Sequence, residues 1–154
     1  IAVEDEELIV NFLDILENHK MLVENSGLLT VAALKHLDCK GKRVVSILSG
    51  GNMDIITLSS VVQHGLIARG RVFTVAVQLP DRPGELVNVA DIIAKEKGNV
   101  IRLEHNQFVS INRNAAVELR ITLEAFGQEH KNEILKALRD KGYDAKEETP
   151  TGMY

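Results

Sequence analysis

The 154-residue chain has no tryptophan, two tyrosines, four phenylalanines, three prolines and one cysteine. The lone thiol, Cys39, cannot close an internal disulfide, and no thiolate cluster exists to hold zinc. A disulfide scaffold is therefore excluded, and the expected setting is reducing and cytoplasmic. No sign of charge dominates: 18 basic against 22 acidic residues give −4. Residues 1–71 hold 7 basic and 9 acidic groups and the remainder 11 and 13, so each part carries −2. Neither is a basic nucleic-acid footprint or an acidic tail. No apolar run approaches the ~20 residues needed to span a bilayer. There is no signal-peptide pattern and no initiating Met; the chain opens on Ile1-Ala2-Val3 and runs into Glu4-Asp5-Glu6-Glu7. The expectation is a piece cut at a helix start. What is present is ordinary for a globular protein, with 45% apolar and 26% charged residues. A chain this long can bury about 70% of its unfolded surface, in one domain or two small ones.

The first part, 1–70, reads as three helices and one strand. Acidic residues favour a helix N-terminus, and Leu8, Phe12, Ile15 and Leu16 follow at helical spacing. A second helix, about 26–37, carries Leu28, Leu29, Val31, Ala32, Ala33, Leu34 and Leu37, apolar nearly all round, which predicts burial. Residues 43–48 include Val44-Val45-Ser46-Ile47-Leu48, a run typical of a strand covered on both faces. Ser49-Gly50-Gly51-Asn52 interrupts it, and Asp54 can cap a third helix that Gly70 terminates. One strand with three apolar helices is an incomplete sheet, so this part reads as the tail of a larger α/β domain.

The second part, 71–154, has the order βαββαβ. Phe73, Val75, Val77 and Leu79 alternate with Val72, Thr74, Ala76 and Gln78. Pro80-Asp81-Arg82-Pro83-Gly84 is a turn, and a helix follows with Leu86, Val89, Ala90 and Ile93. A second strand is expected from Asn99 to about 110, and a hairpin loop at Asn112-Arg113-Asn114. The third strand sets Val117, Leu119, Ile121 and Leu123 against Glu118, Arg120, Thr122 and Glu124. A helix over about 128–141 and a short polar strand complete the split-βαβ, ferredoxin-like plan, with helices on one face of an antiparallel sheet. Single-stranded RNA on that sheet is discarded, because the polar face of the third strand offers no aromatics.

His19, His36, His64, His105 and His130 show no metal-binding spacing, and no catalytic thiol environment surrounds Cys39. Taken alone, Ser49-Gly50-Gly51 is a tight strand-to-helix turn, and Asp81–Gly84 a polar loop. A turn opening a helix also offers free backbone N–H groups to a carboxylate, while Asp81 can meet an ammonium and Asn99 add an amide bond.

Two stretches carry a family resemblance. Residues 44–52, preceded by Val23-Glu24-Asn25-Ser26-Gly27 and Ala32-Ala33-Leu34, resemble the end of the catalytic domain of the threonine dehydratases, also called threonine ammonia-lyases. Leu79-Pro80-Asp81-Arg82-Pro83-Gly84-Glu85-Leu86, with Gly98-Asn99-Val100-Ile101, resembles an ACT domain, a small amino-acid-sensing module. The two lie in the order of a one-ACT threonine dehydratase. The resemblance implies a remnant of a pyridoxal-phosphate-dependent α/β catalytic domain at 1–70 and an ACT regulatory domain at 71–154.

By that resemblance the parent enzyme removes the α-proton of L-threonine with a lysine and expels the β-hydroxyl, giving 2-oxobutanoate and ammonia. Ser49 matches the residue whose hydroxyl meets the pyridine nitrogen of pyridoxal phosphate, with Gly50, Gly51 and Asn52 beside it. The implied effector-binding set is Asp81, Arg82, Pro83, Gly84, Glu85, Leu86, Asn99, Val100 and Ile101. Isoleucine or valine is the implied effector, and pairing of ACT domains implies a homo-oligomer. The family's Schiff-base lysine lies in a Ser-Phe-Lys-type segment and its phosphate loop is a tetraglycine. Here no phenylalanine precedes a lysine and no three glycines adjoin, so no catalytic residue and no bound cofactor are expected in this chain. The rival reading is a stand-alone amino-acid-binding regulator without a catalytic half.

Overall fold

A computed structural model describes residues 1–106 and 117–148. It divides into two compact units, Ile1–Ala68 and Arg69–Tyr154.

The first unit is helical. Helix α1 (Asp5–His19) starts in a capping box, where Glu7 reaches back to the Glu4 N–H at 3.2 Å. Helix α2 (Asn25–Ala32) tightens into a 3₁₀ turn, Ala33–His36, and α3 covers Ile55–Ala68. Leu8 and Phe12 of α1, Val23, Leu28 and Ala32, and Val61 of α3 form the core. Asp54 caps α3 as expected: one carboxylate oxygen accepts the Ile56 and Thr57 N–H groups, each at 3.0 Å, and the other accepts the Thr57 hydroxyl at 2.6 Å. The Thr57 hydroxyl bond, with the backbone bonds behind it, holds the Asp54 carboxyl below its ordinary range. The cap therefore stabilises the fold above that range and is lost as pH falls through the lowered value.

Two expectations are corrected here. Residues 43–48 form no β-ladder among the described residues, and Val45 and Ile47 are 88% and 75% exposed. A strand needs neighbours for its backbone groups, and the first unit supplies none; one tether is the Thr30 hydroxyl donating to the Ile47 carbonyl at 3.2 Å. The second helix is also shorter and less buried than its composition suggests. It packs by Leu28 and Ala32, leaving Leu29 and Leu37 nearly half exposed.

The second unit has strands β1 (Val72–Leu79), β2 (Asn99–Asn106), β3 (Val117–Glu124) and β4 (Asp144–Glu148), with helices α4 (Glu85–Lys95) and α5 (Gln128–Asp140). Every pairing is antiparallel and the sheet order is β2-β3-β1-β4. This is the mixed α/β, ferredoxin-like plan expected; the predicted hairpin loop at 112–114 and the strand beyond 106 lie outside the described residues. Alternation explains the core. Phe73, Val75, Val77, Leu79, Leu119, Ile121 and Leu123 share one face and pack against Val89 and Ile93 of α4 and Ile134, Leu135 and Leu138 of α5. The other face is polar and internally paired: Thr74 and Thr122 hydroxyls meet at 2.9 Å, and Arg120 lies between Glu118 at 2.8 Å and Glu148 at 3.4 Å.

His130 ties the β3–α5 link to the end of α4. Its Nδ1 accepts the Phe126 N–H at 3.0 Å, so Nε2 carries the proton donated to the Glu96 carbonyl. Replacing fully buried Ile121 by alanine should cost about 2–5 kcal/mol, through lost burial and the cavity left behind. Urea unfolding of the variant chain checks this.

Candidate functional site

The Ser49–Asn52 turn lies at the surface of the first unit, just before the Asp54 cap. The Gly50 carbonyl accepts the Glu24 N–H at 3.2 Å, and Gly50 has φ +77°, a left-handed conformation suited to glycine. The Ser49 hydroxyl is exposed and makes no hydrogen bond among the described residues. It is therefore free to meet a ring nitrogen of a bound ligand. The apolar side chains of Val44, Val45, Ile47, Ile55 and Ile56 around the turn are exposed as well. This donor set fits the ring-nitrogen end of pyridoxal phosphate. It provides neither an amine at the aldehyde nor a phosphate loop.

The Asp81–Gly84 turn is built by the end of β1 and the start of α4. The Arg82 N–H donates to the Pro80 carbonyl at 2.8 Å, and Gly84 turns at φ +94° as the N-cap of α4. The Asn88 N–H returns to Gly84 at 3.0 Å, whereas the N–H groups of Leu86 and Val87 have no backbone acceptor among the described residues. Such groups at a helix N-terminus attract a carboxylate. The segment Leu79–Leu86, with His105 and Val117, encloses a cavity of about 310 Å³. Glu85 is pinned by the Tyr143 hydroxyl, which donates to it at 3.0 Å. Burial first, then the Glu85 hydrogen bond, raises the Tyr143 phenol above its ordinary range and keeps it a donor.

The predicted effector residues do not all meet within one chain. Val72 and Asn99 both pair with Glu124, so β1 and β2 start at the same end of the sheet. Leu79 and the turn lie at the other end, about 23 Å away at ~3.3 Å per residue. Asn99, Val100 and Ile101 are therefore separated from Asp81–Leu86, and the Asn99 amide donates to Glu124 at 3.1 Å. Ile101 is the extra residue of a bulge on the exposed edge strand β2, where Val100, Ile101 and Leu103 present apolar side chains.

His105 and Val117 are cavity residues that sequence reasoning missed. A larger groove of about 510 Å³ runs between α4 and α5, with Asp91, Lys95, Asp140 and Lys141 on its walls. Its Lys95 is already paired with Asp91 at 2.6 Å. The turn remains the stronger candidate, because there backbone donors that have no partner among the described residues lie beside a cavity. Among the described residues no group of three or more His, Cys, Asp or Glu can hold a metal, and no helix is long and apolar enough to cross a membrane.

No protein-family model matches the chain. An L-threonine ammonia-lyase of Geobacter sulfurreducens is 38% identical over 146 residues, covering 93% of this chain and 36% of that protein. One from Thermotoga maritima is 33% identical over 147 residues, covering 95% and 37%. The regulatory subunit of aspartate kinase from Thermus flavus is a remote structural neighbour, at 18% identity and TM-score 0.42 over 51% of this chain and 52% of that one. That likeness is too distant to bear on function. Over nearly its whole length the chain is a homologue of the L-threonine ammonia-lyases, and it spans a little over a third of the length of these two.

Proposed function

We propose that this chain is the C-terminal, regulatory region of an enzyme that deaminates L-threonine to 2-oxobutanoate and ammonia in the cytoplasm. In this reading residues 1–70 complete the catalytic domain and residues 71–154 are an ACT domain that senses isoleucine or valine. The observation that carries it is 38% identity to a threonine ammonia-lyase over 93% of the chain, a span that includes residues of both units. The same span disfavours a stand-alone regulator, which has no use for the Ser49-Gly50-Gly51-Asn52 turn.

In the whole enzyme, pyridoxal phosphate supplies the electron sink for the elimination. This chain's part there is to present the Ser49 hydroxyl to the ring nitrogen, with Gly50, Gly51 and Asn52 shaping the approach. A hydroxyl is a weaker proton source than a carboxylic acid. That suits loss of a β-hydroxyl, which needs no long-lived carbanion.

In the sensor, the Leu86 and Val87 N–H groups receive the effector carboxylate and Asp81 its ammonium. Asn99, at the far end of the sheet in its own chain, reaches the same ligand only from a second copy in antiparallel arrangement. The apolar edge of β2 supports that pairing, because exposed edge strands seek partners. In calorimetry this chain should bind isoleucine or valine, and in light scattering it should have at least a dimer's mass. Leu103→Lys places a charge on the edge and should abolish both. A monomer that still binds the amino acid overturns the shared site.

A further inference from the structure

We propose that Glu24 and Gly27 are positioning residues for the Ser49 hydroxyl: the start of α2 is the template that shapes the Ser49–Gly51 turn. This rests on the reading of Ser49 as the partner of the cofactor's ring nitrogen. Residues 22–27 and 49–51 are distant in sequence yet interleave. The Glu24 N–H donates to the Gly50 carbonyl at 3.2 Å. The Gly27 Cα lies so close to the Ser49 carbonyl that a side chain there would overlap the oxygen. A Cβ on Gly50 would in turn collide with the Glu24 carboxylate, and its Cγ would be 2.8 Å away. The Ser26 hydroxyl donates to that carboxylate at 2.5 Å and fixes its position. One on Gly51 would lie 3.2 Å from the Leu22 carbonyl.

These contacts differ in stiffness. The Glu24 side chain can swing away from Gly50. The Ser49 carbonyl against Gly27 is backbone, and it yields only if the whole turn moves. The Ser49 hydroxyl hangs from that same peptide, so its aim depends on the absence of a side chain at Gly27. Moving an aligned group by about 1 Å can cost on the order of 100-fold in rate. Glu24 acts by shape and hydrogen bonding, since its carboxylate accepts from Ser26 and no cation pairs with it among the described residues. Glutamine keeps the length and the acceptor; alanine keeps neither.

The test uses the full-length holoenzyme that carries this chain, with Ser49→Ala as the reference and Gly27→Ala, Glu24→Ala and Glu24→Gln as probes. Cofactor affinity by fluorescence titration and the circular dichroism of its visible band are read beside kcat and KM. Gly27→Ala and Glu24→Ala should weaken cofactor binding roughly 10- to 100-fold and change the band as Ser49→Ala does, with Glu24→Gln close to wild type. Should Gly27→Ala fail to fold by far-ultraviolet circular dichroism, the Glu24 pair decides. A band altered by Ser49→Ala but untouched by Gly27→Ala and Glu24→Ala overturns the proposal. So does an equal loss in Glu24→Gln, which would assign the effect to charge. If Ser49→Ala itself leaves band and affinity unchanged, the reading of Ser49 falls and the proposal with it, a result that this reference variant alone identifies.

Discussion

A full-length enzyme with Gly84→Asp should lose its response to isoleucine or valine while keeping its basal rate. Gly84 is the N-cap of α4 at φ +94°, and an added Cβ would have nothing within 4 Å among the described residues. The new carboxylate would therefore occupy the cavity instead of clashing with the protein. There it takes the place of the effector carboxylate at the Leu86 and Val87 N–H groups and repels any that approaches. Holding aspartate at positive φ costs on the order of 1–3 kcal/mol, which a unit with a continuous core from Phe73 to Ala145 can tolerate. Allosteric coupling is typically ~1–3 kcal/mol, a 5- to 150-fold change in affinity, and all of it should vanish. The measurement is rate against effector concentration for the wild type and the variant. An unchanged curve would move the effector elsewhere, with the groove between α4 and α5 as the first place to look.

What the sequence made legible follows from where physical constraints are local. Strand β3 was readable to the residue because Val117, Leu119, Ile121 and Leu123 line the core while Glu118, Arg120, Thr122 and Glu124 on the other face are polar, Thr122 alone of these being buried. Asp54 was readable as a cap because the bond reaches only two and three residues along the chain. Residues 44–48 show the converse. Their apolarity is real, but composition cannot say whether a neighbouring strand is present, and among the described residues none pairs with them.

The candidate site divides in the same way. The Asp81–Gly84 turn announces itself through Pro and Gly. His105 and Val117 reach the cavity only because β2 and β3 run back to the turn's end of the sheet. The one available signal was their position flanking the predicted hairpin loop. The separation of Asn99 from the turn was legible in principle, since βαβ strands run parallel and so begin at the same end. It is the pairing of Val72 and Asn99 with the same Glu124 that puts Asn99 and the turn at opposite ends of the sheet.

The chain by itself should produce no 2-oxobutanoate from threonine and pyridoxal phosphate above a cofactor-only control. Retaining a small molecule even at millimolar concentration takes about 4 kcal/mol, whereas a single hydrogen bond contributes a net ~0.5–1.5 kcal/mol. Ser49 offers one such bond, from an exposed turn ringed by uncovered Val45, Ile47, Ile55 and Ile56. No glycine run is present to cradle the phosphate, and Phe12, Phe73, Phe108 and Phe126 are followed by Leu13, Thr74, Val109 and Gly127, never by lysine. A surface lysine such as Lys20 or Lys35 can add to the cofactor's aldehyde in solution. A lysine that meets the aldehyde by chance is not aligned to take the α-proton while Ser49 steadies the ring, and without that alignment the orders of magnitude that come from orientation are lost. Product is followed as 2-oxobutanoate after gel filtration of the cofactor-treated chain, and the same preparation is tested for isoleucine or valine binding to confirm that the sensor is folded. Turnover by a chain that still binds the effector would mean that a lysine within these 154 residues performs the family's chemistry.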